Sequence, residues 1–188
     1  MAYLIEPDAD FYDSWLAAQR EHEEVDGRAE ADGLSVEDLE VGGSESVARS
    51  LLSKRVVPGI DPGLVGEWWW VEKTSREPDC SERVEGYEYI GRVTLQPEPR
   101  PEDRRLETSG RAGRLHVAIR PSRRREGHEA AVLSAALWLA GGRGFPVVLL
   151  TCSEEEAAAF GLVQREDVSV AERASGNRYT VPTTVGAR

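Results

Sequence analysis

The sequence predicts one domain of mixed α/β class, in which a central twisted sheet is flanked by helices. A buried strand pattern at Leu115–Ile119 passes through a basic turn into a helical pattern that begins at His128. A second buried strand pattern follows at Phe145–Cys152. This order of strand, helix and strand favours parallel pairing of the two strands. The chain has 188 residues, 40% of them hydrophobic, which is enough for one core.

The N-terminal third of the chain predicts one strand and two helices. Ala2–Ile5 is a short strand pattern, and Asp10 is a suitable cap for a helix from Phe11 to about Glu24. A second helix is predicted from Ser44 to Leu52. The acidic segment Glu21–Glu40 is interpreted as solvated, and recruitment of a cationic substrate is the alternative.

A pair of strands joined by a long loop is predicted next. Glu67–Lys73 contains three consecutive tryptophans, whose alternation indicates core on both faces of the sheet, with a ligand platform as the alternative. Its predicted partner is Tyr89–Leu95. The polar segments Thr74–Gly86 and Gln96–Arg114 are typical of surface loops.

The C-terminal segment predicts a short helix and a hairpin. Ser153 and Glu156 have the spacing of a capping box, and the helix that they open has about two turns. The hairpin joins Val168–Ala171 to Arg178–Val181. The single domain 1–188 therefore divides into an N-terminal segment (1–66), a central segment (67–152) and a C-terminal segment (153–188).

Charge and composition exclude several classes of function. A net charge of −11 argues against general binding to nucleic acid or to anionic membranes. The sequence shows no signal peptide and no apolar run of about twenty residues, so we expect a cytoplasmic protein. Cys80 and Cys152 do not form a disulfide framework or a zinc motif, and no metal is expected.

The basic turn has the composition of a phosphate site. The first turn of a helix leaves backbone N–H groups unpaired at the positive end of the helix dipole, where phosphates bind. Arg123, Arg124 and Arg125 precede this turn, and Gly127 allows a ligand to approach the backbone. An ordinary turn with solvated arginines is the alternative.

Two short motifs around this turn resemble the GNAT superfamily of acyl-CoA-dependent N-acetyltransferases. Ile119-Arg-Pro121 is similar to the end of the family's motif strand, and Arg124-Arg-Glu-Gly127-His-Glu129 is similar to its Gln/Arg-x-x-Gly-x-Gly/Ala turn. Glu129 departs from the pattern, because the family has a small residue there. Tyr3, the tryptophan strand and Gly91-Arg-Val93 resemble a little-characterised bacterial subgroup.

The resemblance implies a GNAT-like fold, acetyl-CoA as co-substrate and a set of cofactor-binding residues. The main chain of Val117, Ala118 and Ile119 would pair with the pantetheine arm. The turn would hold the pyrophosphate. The residues that the resemblance assigns to the turn are Arg124, Arg125, Glu126, Gly127, His128 and Glu129.

The sequence does not identify the catalytic acid and base. Strand alternation places His116 out of phase with Ile119 unless a bulge intervenes, so a base is one alternative and a packed or hydrogen-bonded structural histidine is the other. His128 either lines the turn or faces solvent. Cys152 is either close to the thioester or a buried, inert thiol. In the family a tyrosine directly follows the aromatic residue that Phe160 resembles and serves as the acid; here Gly161 follows Phe160, so that acid is missing.

Two classes of function follow. The first is transfer of an acetyl group from acetyl-CoA to an amine of a small molecule or a protein, by direct attack. The alternative is a GNAT-like acyl-CoA-binding or regulatory domain without efficient transfer, which Glu126, Glu129 and the short helix after Cys152 favour. A nucleotide site is disfavoured because no Walker or dinucleotide motif is present. The sequence does not identify the acceptor, and a homodimer is one possible state of the protein.

Overall fold

A seven-stranded sheet forms the centre of the molecule. The computed structural model describes residues 2–29, 35–54, 66–73, 86–98, 112–171 and 177–183. Within them the strand order is β1-β2-β3-β4-β5-β7-β6, and β4 and β5 are the parallel neighbours. The strands are Ala2–Ile5 (β1), Gly66–Lys73 (β2), Tyr87–Pro97 (β3), Ala112–Ile119 (β4), Val147–Cys152 (β5), Ser169–Ala171 (β6) and Asn177–Pro182 (β7). The predicted mixed α/β class is therefore confirmed.

Four helices flank the described region of the sheet: Tyr12–Asp26 (α1), Val36–Lys54 (α2), His128–Gly142 (α3) and Glu154–Ala159 (α4). The prediction that Asp10 caps the first helix was wrong. The Asp8 side chain instead accepts a hydrogen bond from the Asp10 amide and opens a short 3-10 turn ahead of α1. A longer helix than predicted forms α2, with a kink at Gly43.

The acidic segment Glu21–Glu40 includes the end of the first helix and the start of the second. Helix α1 extends to Asp26, and α2 begins at Val36. Val36 and Leu39 are buried, and the Glu21 carboxylate accepts a hydrogen bond from Arg120, which directly follows β4. The interpretation of Glu21–Glu40 as solvated is therefore confirmed for exposed residues such as Glu23 and Glu37, and it was wrong for the buried His22, Val36 and Leu39. The apolar and ion-pairing residues among its charges attach both helices to the rest of the fold.

The tryptophan strand connects two separate cores. Trp68 and Trp70 pack in the larger core, which lies between the sheet and α3. Trp69 faces the other way, where it stacks on Trp15 of α1 at a centroid distance of 6.0 Å. The predicted alternation of the tryptophans between two cores is confirmed. Because β2 is buried on both faces, it positions α1 and α3 on opposite sides of the sheet.

The C-terminal predictions agree with the structure. Ser153 and Glu156 form the predicted capping box at the start of α4. Strands β6 and β7 pair antiparallel, as expected for the hairpin. Helical spacing predicts an apolar face of α3 that consists of Ala131, Leu133, Ala136, Leu137 and Ala140; the last four are buried, and Ala131 is exposed.

The predicted loops lie mostly outside the described residues. Residues 74–85 and 99–111 belong to these segments, and Cys80 is among them. The two ends of the predicted loop Gln96–Arg114 belong to strands instead, because β3 extends to Pro97 and β4 begins at Ala112.

Close packing between β3 and β4 requires a glycine at position 91. A Cβ atom on Gly91 would lie 2.3 Å from the Ala118 carbonyl oxygen. We expect Gly91→Ala to lower the free energy of unfolding by about 2 kcal/mol, because two paired backbones must separate to admit the methyl group. Urea denaturation measures this difference.

Gly142→Ala is the matched control, since nothing lies within 4 Å of a Cβ atom there. Alanine is the better helix former, so this variant keeps or raises the stability. A Gly91→Ala protein as stable as the wild type would contradict the packing argument.

Candidate functional site

Strands β4 and β5 diverge at the centre of the sheet. Their parallel pairs run from Ala112 with Val147 to Leu115 with Leu150. Beyond that point β4 remains paired with β3 as far as Ile119, whereas β5 continues beside β7 as far as Cys152. A gap therefore opens between the C-terminal halves of two parallel strands.

Main-chain groups of β4 line this gap. The Arg120 amide donates to the Ile90 carbonyl oxygen of β3 at 2.8 Å, which fixes the direction of every peptide group in β4. By alternation, the amides of Ala118 and His116 also face β3, and those of Val117 and Ile119 face the gap. Of the three residues predicted to bind the pantetheine arm, Val117 and Ile119 direct main-chain groups into the gap. The main chain of Ala118 pairs with β3 instead.

The turn that follows β4 has an unusual backbone. It begins with a 3-10 turn at Pro121–Arg123, and α3 begins at His128. Between them, Arg125 has φ = 66° and Gly127 has φ = 89°, both in the left-handed region. Left-handed residues next to right-handed ones can turn neighbouring N–H groups toward one side, and such concave turns bind anions in other proteins. The phosphate turn itself stays a prediction.

The Glu129 carboxylate occupies one side of this turn. Its Oε1 atom accepts a hydrogen bond from the Arg125 amide at 2.6 Å, and the residue is 7% exposed. A carboxylate from the first turn of α3 therefore occupies the Arg125 N–H group, which the predicted phosphate site would otherwise present to a ligand. The departure from the family motif at this position has a direct structural consequence.

The arginines of the turn are paired with carboxylates from other elements. Arg123 donates to Glu72 of β2 and Glu88 of β3, both at 2.6 Å, and to Glu126 at 2.7 Å. Arg120, which directly follows β4, donates to Glu21 of α1 and to the same Glu88. These pairs hold the turn against the sheet and α1, so its arginines are not simply solvated.

Helix α1 makes a second connection to the turn through Arg124. This guanidinium donates to Asp26 at 2.9 Å and to the Ile119 carbonyl oxygen at 3.2 Å. Arg125 instead extends outward, with its side chain 80% exposed, and pairs with Glu155 of α4. Of the predicted arginines, Arg125 is therefore the one placed to meet a ligand from solvent.

A cleft of about 460 Å³ lies between the end of α1 and the turn. Its lining includes two carboxylates and two guanidinium groups, so negative and positive side chains both face the cleft. The lining residues are Glu21, Glu24, Val25, Pro121, Ser122, Arg124 and Arg125.

The three histidines lie in different environments. His128 is buried at the start of α3, where its Nδ1 atom accepts a hydrogen bond from Trp70 Nε1 at 3.3 Å. His22 is a buried residue of α1, and its Nδ1 atom lies 2.8 Å from Asp26 Oδ2. His116 is exposed on β4. Its side chain lies on the face opposite Leu115 and Ile119, in agreement with the predicted phase.

Cys152 ends β5 on the face that packs against α3. Burial, and then the nearby Glu156 carboxylate, raises the pKa of this thiol to about 12. The thiolate is therefore scarce at neutral pH, as expected for the inert alternative.

Several residues that shape the site could not be found from sequence. Glu21 and Asp26 are 99 and 98 positions from their arginine partners. Glu88 bridges two arginines from the middle of the sheet. No local spacing marks such partners, because the fold alone brings them together.

Within the described residues, no group of three or more His, Cys, Asp or Glu side chains is placed to hold a metal ion. Among the helices of that same portion of the chain, none is long and apolar enough to cross a bilayer.

The carboxylates of α1 predict a loss of stability in acid. The hydrogen bond from Arg124 lowers the pKa of Asp26, and burial opposes this shift. Burial raises the pKa of Glu21, but the bonds from Arg120 and Ser122 outweigh it and leave that pKa below its ordinary value. These groups therefore stabilise the fold above the ordinary carboxyl pKa of about 4, and the contribution is lost as the pH falls through the lower folded-state values.

We expect Asp26→Asn to be less stable than the wild type at pH 7 by about 1 kcal/mol, since an ion pair that is partly exposed contributes little more. The difference shrinks as the pH falls further below 4, because the wild-type carboxylate becomes protonated only when the pH passes its lowered folded-state pKa. Urea unfolding at several pH values measures both effects. If the free energies of unfolding of the two proteins change with pH in parallel, the stabilising role of the Asp26–Arg124 pair is contradicted.

The thiol of Cys152 provides an independent check on burial at the end of β5. In a Cys80→Ser protein, we expect native Cys152 to react with an aromatic disulfide reagent on the order of 100-fold more slowly than after unfolding in urea. The reaction is followed by absorbance. Equal rates in the two states would show that the thiol is accessible.

Comparison with known proteins places the fold. No protein-family profile and no curated protein sequence matches the chain. Solved structures do match. A GNAT-family acetyltransferase from Staphylococcus aureus Mu50 has a TM-score of 0.52 at 7% identity, over 98% of this chain and 100% of that one.

Two further structures agree over nearly the whole chain. YncA of Salmonella typhimurium, solved with acetyl-CoA, has a TM-score of 0.55 at 11% identity and covers 100% of this chain and 96% of its own. The PaiA N-acetyltransferase of Thermoplasma acidophilum, solved with coenzyme A, has a TM-score of 0.52 at 12% identity, with 97% and 99% covered. The chain therefore has the fold of the GNAT N-acetyltransferases.

Proposed function

We propose that this protein is an acetyl-CoA-dependent N-acetyltransferase, whose acceptor is an amine of a small molecule or a protein. The observation that carries the proposal is the gap between β4 and β5. Its β4 side presents main-chain groups of Val117 and Ile119, and its far end leads to the turn before α3. YncA and PaiA share this fold and were solved with acetyl-CoA and coenzyme A.

The gap suits the pantetheine arm of the co-substrate. An extended chain with two amides pairs with a strand edge as another strand would. The main chain of Val117 and the N–H group of Ile119 would pair with these amides and fix the thioester beside β4, whereas the Ile119 carbonyl oxygen accepts from Arg124. Holding the two reactants in this geometry supplies much of the rate enhancement, since it removes the entropic cost of bringing them together.

The turn before α3 would receive the pyrophosphate. Its N–H groups and the exposed Arg125 side chain suit a phosphate. Glu129 must leave the Arg125 amide for this contact to form. Of the other predicted turn residues, Gly127 provides the left-handed backbone, and Glu126, Arg124 and His128 support the turn through their side-chain contacts.

Direct attack of the amine on the thioester fits the residues near the gap. A route through an acylated Cys152 is disfavoured, because burial keeps that thiol protonated. In the direct route the acceptor nitrogen bonds to the acyl carbon, the carbon–sulfur bond breaks, and the amine loses a proton to a base.

Calorimetric titration with acetyl-CoA tests the proposal, with coenzyme A and ATP as comparisons. We expect binding of acetyl-CoA at micromolar strength and much weaker binding of ATP, because ATP lacks the pantetheine arm. No heat from either CoA species would overturn the proposal.

A second function is supported by the position of Glu129. A carboxylate on the Arg125 amide weakens pyrophosphate binding, which favours an acyl-CoA-binding or regulatory domain that has lost efficient transfer. Saturable acetyl-CoA binding without acetylation of any amine in a broad screen would favour this alternative over the enzyme.

Replacing Glu129 tests whether its carboxylate competes with the co-substrate. We expect Glu129→Ala to tighten acetyl-CoA binding about tenfold, which corresponds to the loss of one charge-assisted hydrogen bond of about 1.4 kcal/mol. Titration calorimetry measures the change.

Glu155→Ala is the matched control. It removes the same charge from the neighbourhood of Arg125 but leaves the amide contact unchanged. If the two variants strengthen binding equally, the effect is one of net charge, and the proposed competition at the amide is contradicted.

A further inference from the structure

The sheet face opposite α3 carries a row of polar residues at the gap. In the strand register, Glu67 of β2 lies opposite Thr94 of β3, and Thr94 lies opposite His116 of β4. Thr151 of β5 follows Leu150, the last residue paired with β4, and lies opposite Arg178 of β7. Directly opposite residues share a face, so the row crosses five strands where β4 and β5 separate.

The middle of this row is open to solvent. His116 and Thr151 are both exposed, on either side of the gap. Helices α1 and α2 pack farther along the same face, over Trp69, Val71 and Tyr89. The opposite face at this level is closed, since Leu115 and Leu150 pack beneath α3. Of the two sheet faces in the described region of the chain, an acceptor can therefore reach the gap from the His116 face.

His116 differs from the other two histidines in its surroundings. The His128 ring contacts Trp70 and Glu72 on the α3 side of the sheet. The His22 ring, on α1, lies beside Asp26. Both are buried. His116 alone combines an exposed ring with a position next to Val117, the first β4 residue beyond the paired region whose main chain faces the gap.

We propose that His116 is the general base of acetyl transfer and that the acceptor binds on the polar row around it. This inference rests on the proposed function. The amine nitrogen forms a bond to the acyl carbon while its proton passes to the His116 imidazole. The carbon–sulfur bond then breaks, its electron pair leaves with the CoA sulfur, and the thiolate takes a proton from water.

Bromoacetyl-CoA tests this placement without knowledge of the acceptor. It carries an electrophilic carbon where acetyl-CoA has its methyl group. A neutral imidazole beside the acyl group displaces bromide and forms a nitrogen–carbon bond, and the ring proton is lost to water. We expect the full chain to acquire one adduct on His116, located by peptide mass spectrometry and suppressed by excess acetyl-CoA. A Cys80→Ser background removes the thiol that lies outside the described residues.

Two variants separate a specific adduct from random alkylation. We expect His116→Gln to bind acetyl-CoA with the calorimetric affinity of the wild type and to lose the adduct. Arg114→Gln changes the same strand and face two residues away, and it should retain the adduct. An adduct on His22, His128 or Cys152, or none despite saturable acetyl-CoA binding, would overturn the role of His116 and leave the proposed function standing. No acetyl-CoA binding by the wild type would overturn both.

Discussion

The separation of β4 from β5 is the constraint on which the rest of the site depends. Strand β4 keeps its pairs with β3 as far as Ile119, so its other edge is left facing the gap. Main-chain N–H and C=O groups need partners, and a buried one without a partner costs about 1–3 kcal/mol. Water can meet this need, and so can an extended ligand with amides of its own. The requirement concerns the backbone of β4 rather than its side chains.

A second constraint is the neutralisation of the turn. The guanidinium groups of Arg120, Arg123 and Arg124 are held by carboxylates from α1, β2 and β3. Several of these pairs are only partly exposed, so they fix the turn more firmly than surface pairs would. Under the proposed function, these pairs hold the turn in its shape before the pyrophosphate binds. Its charge is largely balanced by the protein itself, and Glu129 competes for one of its amides.

The sequence predicted much of the fold and less of the site. Strand and helix patterns, the double burial of the tryptophan strand and the Ser153 capping box depend on neighbouring residues, and the structure has them. The partners of the turn arginines depend on contacts across the fold, such as Glu21 with Arg120, and no periodicity reveals them. Glu129 was visible as a departure from a motif, but its bond to Arg125 follows from the left-handed backbone there.

Residue-resolved amide hydrogen exchange tests the central claim most directly, because it reads the two edges of β4 separately. In the free protein, we expect slow exchange for the His116 and Ala118 amides, which face β3, and faster exchange for those of Val117 and Ile119, which face the gap. Added acetyl-CoA should slow exchange at Val117 and Ile119 and leave the other two amides unchanged. Unchanged exchange at Val117 and Ile119 under saturating acetyl-CoA would contradict the claim that the gap receives the co-substrate.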